Sequence, residues 1–154
     1  MHRKMRRKDK AMSDEAAVEI LKSGDTGILA TAGEDGFPYA VPLNYAYHDN
    51  AIYFHCALDG HKIDNMRFNP KVSFCVTGDT SLVPEEFSTR FKSVVIFGTA
   101  EEALDEDKRE GLRILIRRLC PDHIPAGETY IKNAEDKTRV FRIGIEQMSG
   151  KEAK

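Results

Sequence analysis

Cysteine is scarce and unpatterned. The three thiols, Cys56, Cys75 and Cys120, show no CxxC spacing and cannot all pair with one another, so they are expected to be reduced thiols in a cytoplasmic protein. Net charge is nearly absent. Twenty-three Lys and Arg stand against 25 Asp and Glu, and the balance of −2 argues against a general nucleic-acid binder. No apolar run approaches the about 20 residues of a membrane span, and no signal-peptide pattern is present. Neither GxGxxG nor GxxxxGKS/T occurs, which removes the Rossmann and P-loop nucleotide sites. GxSxG is missing too, and no cysteine has an obvious His and acid constellation, which disfavours a nucleophilic hydrolase. His55, Cys56 and His61 are close in sequence but lack a compact zinc spacing. His55 and Cys56 are neighbours on a strand and so point to opposite faces; no metal site is expected.

What is present fits one domain over residues 1–154, long enough to bury a core. Residues 1–12 form a basic lead-in arm with Arg3, Lys4, Arg6, Arg7, Lys8 and Lys10, read as a solvated segment or a strap over a neighbouring subunit. Ser13 is a helix cap, Ala17, Ile20 and Leu21 an apolar face, and Gly24 the stop. A strand follows over Thr26–Ala32, then a hairpin turn at 33–36 and a strand over 39–48. Pro42 inside that strand implies an edge or a bulge, with backbone groups free to pair elsewhere. With a third strand from Ile52, these are expected to form a meander. Further strands are expected over Lys71–Thr77, 91–103 and 138–148, with an irregular loop over 78–90 and a bend at Gly98. Asp105 should cap a helix whose Leu112, Leu115, Ile116 and Leu119 share a face and which Cys120-Pro121 ends. A turn, HIPAG, then leads to a short helix at 128–134. The last residues, SGKEAK, read as a polar tail. Six closely spaced strands with few crossover helices predict a mainly β (α+β) protein, a small antiparallel closed or split β-barrel flanked by helices.

One stretch organises the rest. Residues 52–70, IYFHCALDGHKIDNMRFNP, read as a strand, a tight turn at Asp59-Gly60 and a short helix ended by Asn69-Pro70. Gly60, His61 and Lys62 open that helix. Its free N–H groups, its dipole and the Lys62 ammonium make a place for an anion. Lys92 and Ser93 add an ammonium and a hydroxyl. Two or three charge-assisted hydrogen bonds of about 1.5–3 kcal/mol each could hold a phosphate-bearing cofactor at micromolar affinity or better.

The segments GILATAGEDGFPYAVPLNYAY, IYFHCALDGHKIDNMRFNPKVSFCV, VPEEFSTRFKSVVIFGTA and FRIGIEQMSGK, with MRRKDK near the start, resemble the FMN-binding split barrels related to pyridoxamine 5′-phosphate oxidase. Among these the chain looks most like the 5-nitroimidazole antibiotic resistance proteins. The resemblance implies a six-stranded antiparallel split barrel, a homodimer, and FMN in clefts between subunits. It places Val41, Pro42, Leu43 and Asn44 beside the isoalloxazine ring and His55 and Ala57 along the flavin, with His55 the candidate catalytic side chain. Gly60, His61 and Lys62 would hold the phosphate, with Asn65 one turn on; Lys92 and Ser93 would reach the cofactor from one subunit or the other. It implies an FMN-dependent oxidoreductase in which a reduced nicotinamide or flavin donor supplies electrons and a small planar acceptor, such as a nitroaromatic, takes them. The alternative is a dimer that binds flavin, haem or an F420-like ligand without turnover. The sequence carries no basic, aromatic C-terminal extension of the oxidase type, so the oxidase reaction itself is not expected.

Overall fold

A computed structural model describes residues 2–154. Seven strands pair in the order β3-β2-β6-β8-β9-β5-β4. They are β2 (Thr26–Ala32), β3 (Pro38–Asn44), β4 (Ala46–His48), β5 (Ala51–Cys56), β6 (Lys71–Thr77), β8 (Ser88–Ala103) and β9 (Arg139–Ala153). Short β1 (Ala11–Met12) adds to β9 and β7 (Ser81–Val83) adds to β8; every pairing is antiparallel. Four α-helices accompany the sheet: α1 (Asp14–Ser23), α2 (His61–Phe68), α3 (Asp105–Leu119) and α4 (Ile124–Ala134).

The segment expected to be one strand over 39–48 breaks at Tyr45, and this break sets the architecture. β3 lies at one edge of the sheet and β4 at the other, yet a single residue joins them. One residue cannot span a flat sheet, so the two edges must curl toward each other into a split barrel. Tyr45 is fully buried at the join; its N–H donates to the Asp25 carbonyl (3.2 Å) and its hydroxyl to the Leu21 carbonyl (2.7 Å). The expected meander is therefore wrong. β2 pairs with β3 and β4 with β5, but β3 and β5 are never neighbours. The edge position of β3 does accommodate Pro42, which has no N–H to give a second neighbour.

Period-two alternation points Leu29, Phe54, Phe74, Val94, Ile96 and Ile143 into the barrel, where Ala17 and Leu21 of α1 and Ile63 and Met66 of α2 join them. α1 begins as read: Ser13 Oγ accepts the Ala16 N–H (3.2 Å). A second, smaller core lies outside the sheet. Ala46 and Tyr53 pack against Ile114 and Leu115 of α3, and Val140 against Leu112 and Ile131. α3 thus covers the outer face of β4 and β5, and α4 packs beside it toward Val140 of β9.

Several expectations fail at element ends. The polar SGKEAK is strand, because β8 starts early enough to pair Phe91, Lys92 and Ser93 with Ala153, Glu152 and Lys151. The 78–90 loop contains β7, which pairs with residues 88–90. Within HIPAG, His123 is the cap position and 124–127 form the first turn of α4, with Pro125 where a missing N–H costs nothing. Asp105 is no cap: it is the first residue of α3, at φ 53°, and Leu104 occupies the cap position without a side-chain bond. Cys56 and Cys75 lie on strands that do not touch, Cys56 in the core and Cys75 on the outer face. The bend at Gly98 is present. The β8–β9 register slips there, leaving Glu146 as the extra residue, and the Gly144 carbonyl sits where a Cβ on Gly98 would be.

Candidate cofactor cleft

α2 is held from three sides. Ile63 and Met66 enter the barrel core, and buried Asn65 donates through Nδ2 to Thr31 Oγ1 (3.0 Å) on β2. At its start the His61 ring stacks on Tyr39 of β3, centroids 4.0 Å apart. The turn before it is gripped by Arg139, whose Nε donates to the Leu58 carbonyl (2.7 Å) while its Nη1 bonds Glu102 (2.9 Å).

This fixed helix begins without a cap. Gly60 offers no side chain, and the first intrahelical bond runs from the Asp64 N–H to the Gly60 carbonyl (3.1 Å). The N–H groups of His61, Lys62 and Ile63 therefore have no partner within the helix. Among the described residues half-buried Lys62 takes part in no ion pair. Burial pushes the Cys56 thiol up, and the Lys62 charge pulls it the other way, so the ammonium acts at the barrel end where β5 stops. A Cβ built on Gly60 would meet nothing within 4 Å. Free donors, a positive helix end, an unpaired ammonium and open space together suit a phosphate monoester.

The other expected residues are placed unequally. Val41 and Leu43 turn inward against the core, while Pro42 and Asn44 are exposed. The Asn44 amide donates to the Asp25 carbonyl (3.1 Å) and Thr26 Oγ1 (3.3 Å), closing the β2–β3 pair. What β3 offers a ligand is therefore the backbone of its free edge. Asn65 is a buried strut committed to Thr31, and its carbonyl oxygen abuts Gly33. Ala57 is exposed just beyond β5. His55 and Cys56 point to opposite faces, as their adjacency requires. Cys56 enters the core, and His55 lines a cavity of about 330 Å³ under α3 and α4. His55 is exposed by surface area, and the partial enclosure of its ring lowers its pKa from the ordinary histidine value.

Lys92 and Ser93 do not join this group within one chain. They pair with Glu152 and Lys151, and Ser93 also with Thr77; Lys92 Nζ lies 3.9 Å from Glu152. Cys56 pairs instead with Arg139, near the Ala103 end of β8. Eleven residues separate Lys92 from Ala103, roughly 35 Å along the strand. Arg139, Thr31 and Tyr39 escaped the sequence reading as site-building residues. Their roles depend on partners 81, 34 and 22 positions away, and no local pattern marks them.

Comparison with known proteins agrees with this architecture. A family model described as pyridoxamine 5′-phosphate oxidase matches residues 13–152. The crystal structure of a candidate 5-nitroimidazole antibiotic resistance protein from Bacteroides thetaiotaomicron superposes with a TM-score of 0.76 at 26% identity, covering 92% of this chain and 85% of that one. An FAD-binding protein from Mesorhizobium loti gives a TM-score of 0.65 at 32% identity, covering 94% and 98%. An uncharacterised protein of Rhizobium meliloti (strain 1021) is 37% identical over 93 residues, which is 60% of this chain; the match spans just over half, 56%, of that relative's length. The antiparallel split barrel and the match across nearly its whole length make this chain a member of the pyridoxamine 5′-phosphate oxidase family.

Proposed function

We propose that the chain is a homodimeric flavoprotein that binds FMN at the start of α2 and passes electrons to a small planar acceptor, a nitroaromatic being one candidate. The observation that carries this reading is the uncapped start of α2, with free N–H groups at 61–63, Lys62 without an ion pair and open space beside Gly60. The FAD-binding and nitroimidazole-resistance relatives support a flavin as the group and a small aromatic as the acceptor.

When bound, the flavin supplies the electron transfer, and a reduced nicotinamide or flavin recharges it. The protein's own part is binding and placement. The α2 N–H groups and Lys62 hold the phosphate, while the core contacts of Ile63 and Met66 and the Asn65–Thr31 bond keep the helix start from moving. The free edge of β3 presents backbone donors and acceptors to the ring system. His55, exposed at the edge of the space under α3 and α4, is the candidate catalytic side chain, able to hold a proton on a ring nitrogen. Lys92 and Ser93, paired with Glu152 and Lys151 toward the Ser88 end of β8, would reach the same phosphate from the second subunit.

Equilibrium titration of the apoprotein tests the site. Lys62→Ala should weaken FMN binding at least about tenfold, through loss of one charged contact. An unchanged affinity removes Lys62 from the site. Denaturing the purified protein and identifying the released chromophore separates flavin from haem. Bleaching by a reduced nicotinamide followed by reoxidation with a nitroaromatic separates turnover from storage.

A further inference from the structure

The turn that leads into α2 hangs by one tie. Ala57, Leu58 and Asp59 are exposed, and the bond at its end, from the Asp64 N–H to the Gly60 carbonyl, belongs to the helix. Gly60 has open space where a Cβ would be, so packing does not brace the turn at that point. Among the described residues one side-chain hydrogen bond reaches 57–60: Arg139 Nε donates to the Leu58 carbonyl (2.7 Å). Arg139 is itself fixed. It opens β9, pairs across to Cys56 at the end of β5, and its Nη1 donates to both carboxylate oxygens of Glu102 on β8 (3.2 and 2.9 Å). One planar guanidinium thus spans β8 and the turn, a reach over two acceptors that a lysine ammonium does not reproduce. Glu102 also balances its charge. Half-buried Lys62, in no ion pair among the described residues, is the cation left to meet a ligand.

We propose that Arg139, clamped by Glu102, is the positioning residue of the anion site: it holds the 57–60 turn so that the N–H groups of 61–63 converge on one phosphate before the ligand arrives. This role rests on the phosphate reading above. Donors that must be ordered on binding take that cost out of the affinity, so a preset turn tightens the complex without touching the ligand. Position and charge predict opposite signs. A guanidinium that attracted the phosphate directly would bind FMN more tightly once released from Glu102. A guanidinium that holds the turn is loosened by the same change, and FMN binds more weakly. Riboflavin, which lacks the phosphate, is indifferent to it.

Amide hydrogen exchange of the full-length apoprotein, with parallel titrations of FMN and riboflavin, tests this. Arg139→Met keeps the apolar stem and removes the Leu58 bond. Without ligand, its Asp64 amide, which bonds the Gly60 carbonyl in the first turn of α2, should exchange several-fold faster than in the wild type. FMN affinity should fall several-fold while riboflavin affinity stays the same. Arg139→Lys should not rescue it. Glu102→Ala should weaken FMN in the same direction, and Glu102→Gln, which keeps an acceptor, should lie nearer the wild type. Thermal unfolding checks each fold, and if Arg139→Met unfolds, the two Glu102 variants decide alone. Unchanged FMN affinity in Arg139→Met, or tighter FMN binding in Glu102→Ala, overturns the assignment. So do equal losses for FMN and riboflavin, which mark a merely structural role. If Lys62→Ala binds FMN as the wild type does while Arg139→Met still speeds Asp64 exchange, the tie on the turn stands and the phosphate reading falls.

Discussion

Tyr45 shows how much one side chain can decide. It is the single residue between the two sheet edges, and its hydroxyl donates to the Leu21 carbonyl, one of the last in α1 and without a helical partner. Phe74 meets its ring edge-on at 5.1 Å. Tyr45→Phe should cost about 1–2 kcal/mol by leaving that carbonyl unpaired, read from denaturant unfolding. Burial pushes the phenol up to about 12, against an ordinary value near 10. The folded state thus favours the neutral form. Its contribution is complete below about pH 10 and is lost as the pH rises from there to about 12. Unfolding midpoints measured across that range should fall for the wild type more than for Tyr45→Phe; parallel curves would contradict the assignment. Nothing around NYAYH marks Tyr45 as the crossing point, because its partners lie in α1 and β6. Local chemistry was more legible: Ser13 was readable as a cap, and alternation placed Phe54 and Cys56 on one face and His55 on the other.

At the scale of elements, α3 is tied to α1 by Arg118, near the end of α3. Its guanidinium donates to the Lys22, Ser23 and Gly24 carbonyls (2.7, 2.7 and 3.2 Å) and to Asp25 Oδ1 (2.9 Å). A cation at the negative end of a helix, satisfying its last carbonyls, is favourable twice over. Arg118→Met should destabilise by about 1–2 kcal/mol, less than a fully buried charged hydrogen bond because the side chain is partly exposed. Gly98→Ala should cost about 1–3 kcal/mol, since its methyl would press on the Gly144 backbone. Both are checked by thermal or denaturant melts. The bend at Gly98 could be read from a glycine inside a strand, whereas the length of β9 could not. Ser149 to Glu152 are too polar to signal a strand alone, and become one because β8 and β1 supply hydrogen-bonding partners.

For the whole molecule, the outer face of β2, β6 and β8 bears on the expected dimer. Ile28 is 40% and Phe97 37% exposed, with Ala30, Cys75 and Val95 partly exposed on the same face. Helices cover the equivalent face of β4 and β5 but not this one, where the His2 ring stacks on Phe97 with centroids 5.0 Å apart. Sedimentation velocity should show a dimer for the wild type and a shift toward monomer for Phe97→Glu, with loss of flavin affinity in the same variant. A monomeric wild type that binds FMN fully would contradict the shared site. The barrel class followed from strand spacing, and the helix that Gly60, His61 and Lys62 open was readable from the Asp59-Gly60 turn. The α3–α4 cavity did not, because a Leu112–Leu119 stripe looks the same whether it packs flush or encloses a space.

The central claim is that a phosphate docks where the 57–60 turn enters α2. Parallel titration of the apoprotein with FMN and with riboflavin, which lacks only that group, tests it most directly. With two or more charged contacts at stake, riboflavin should bind at least about a hundredfold more weakly than FMN. Equal affinities would contradict the claim.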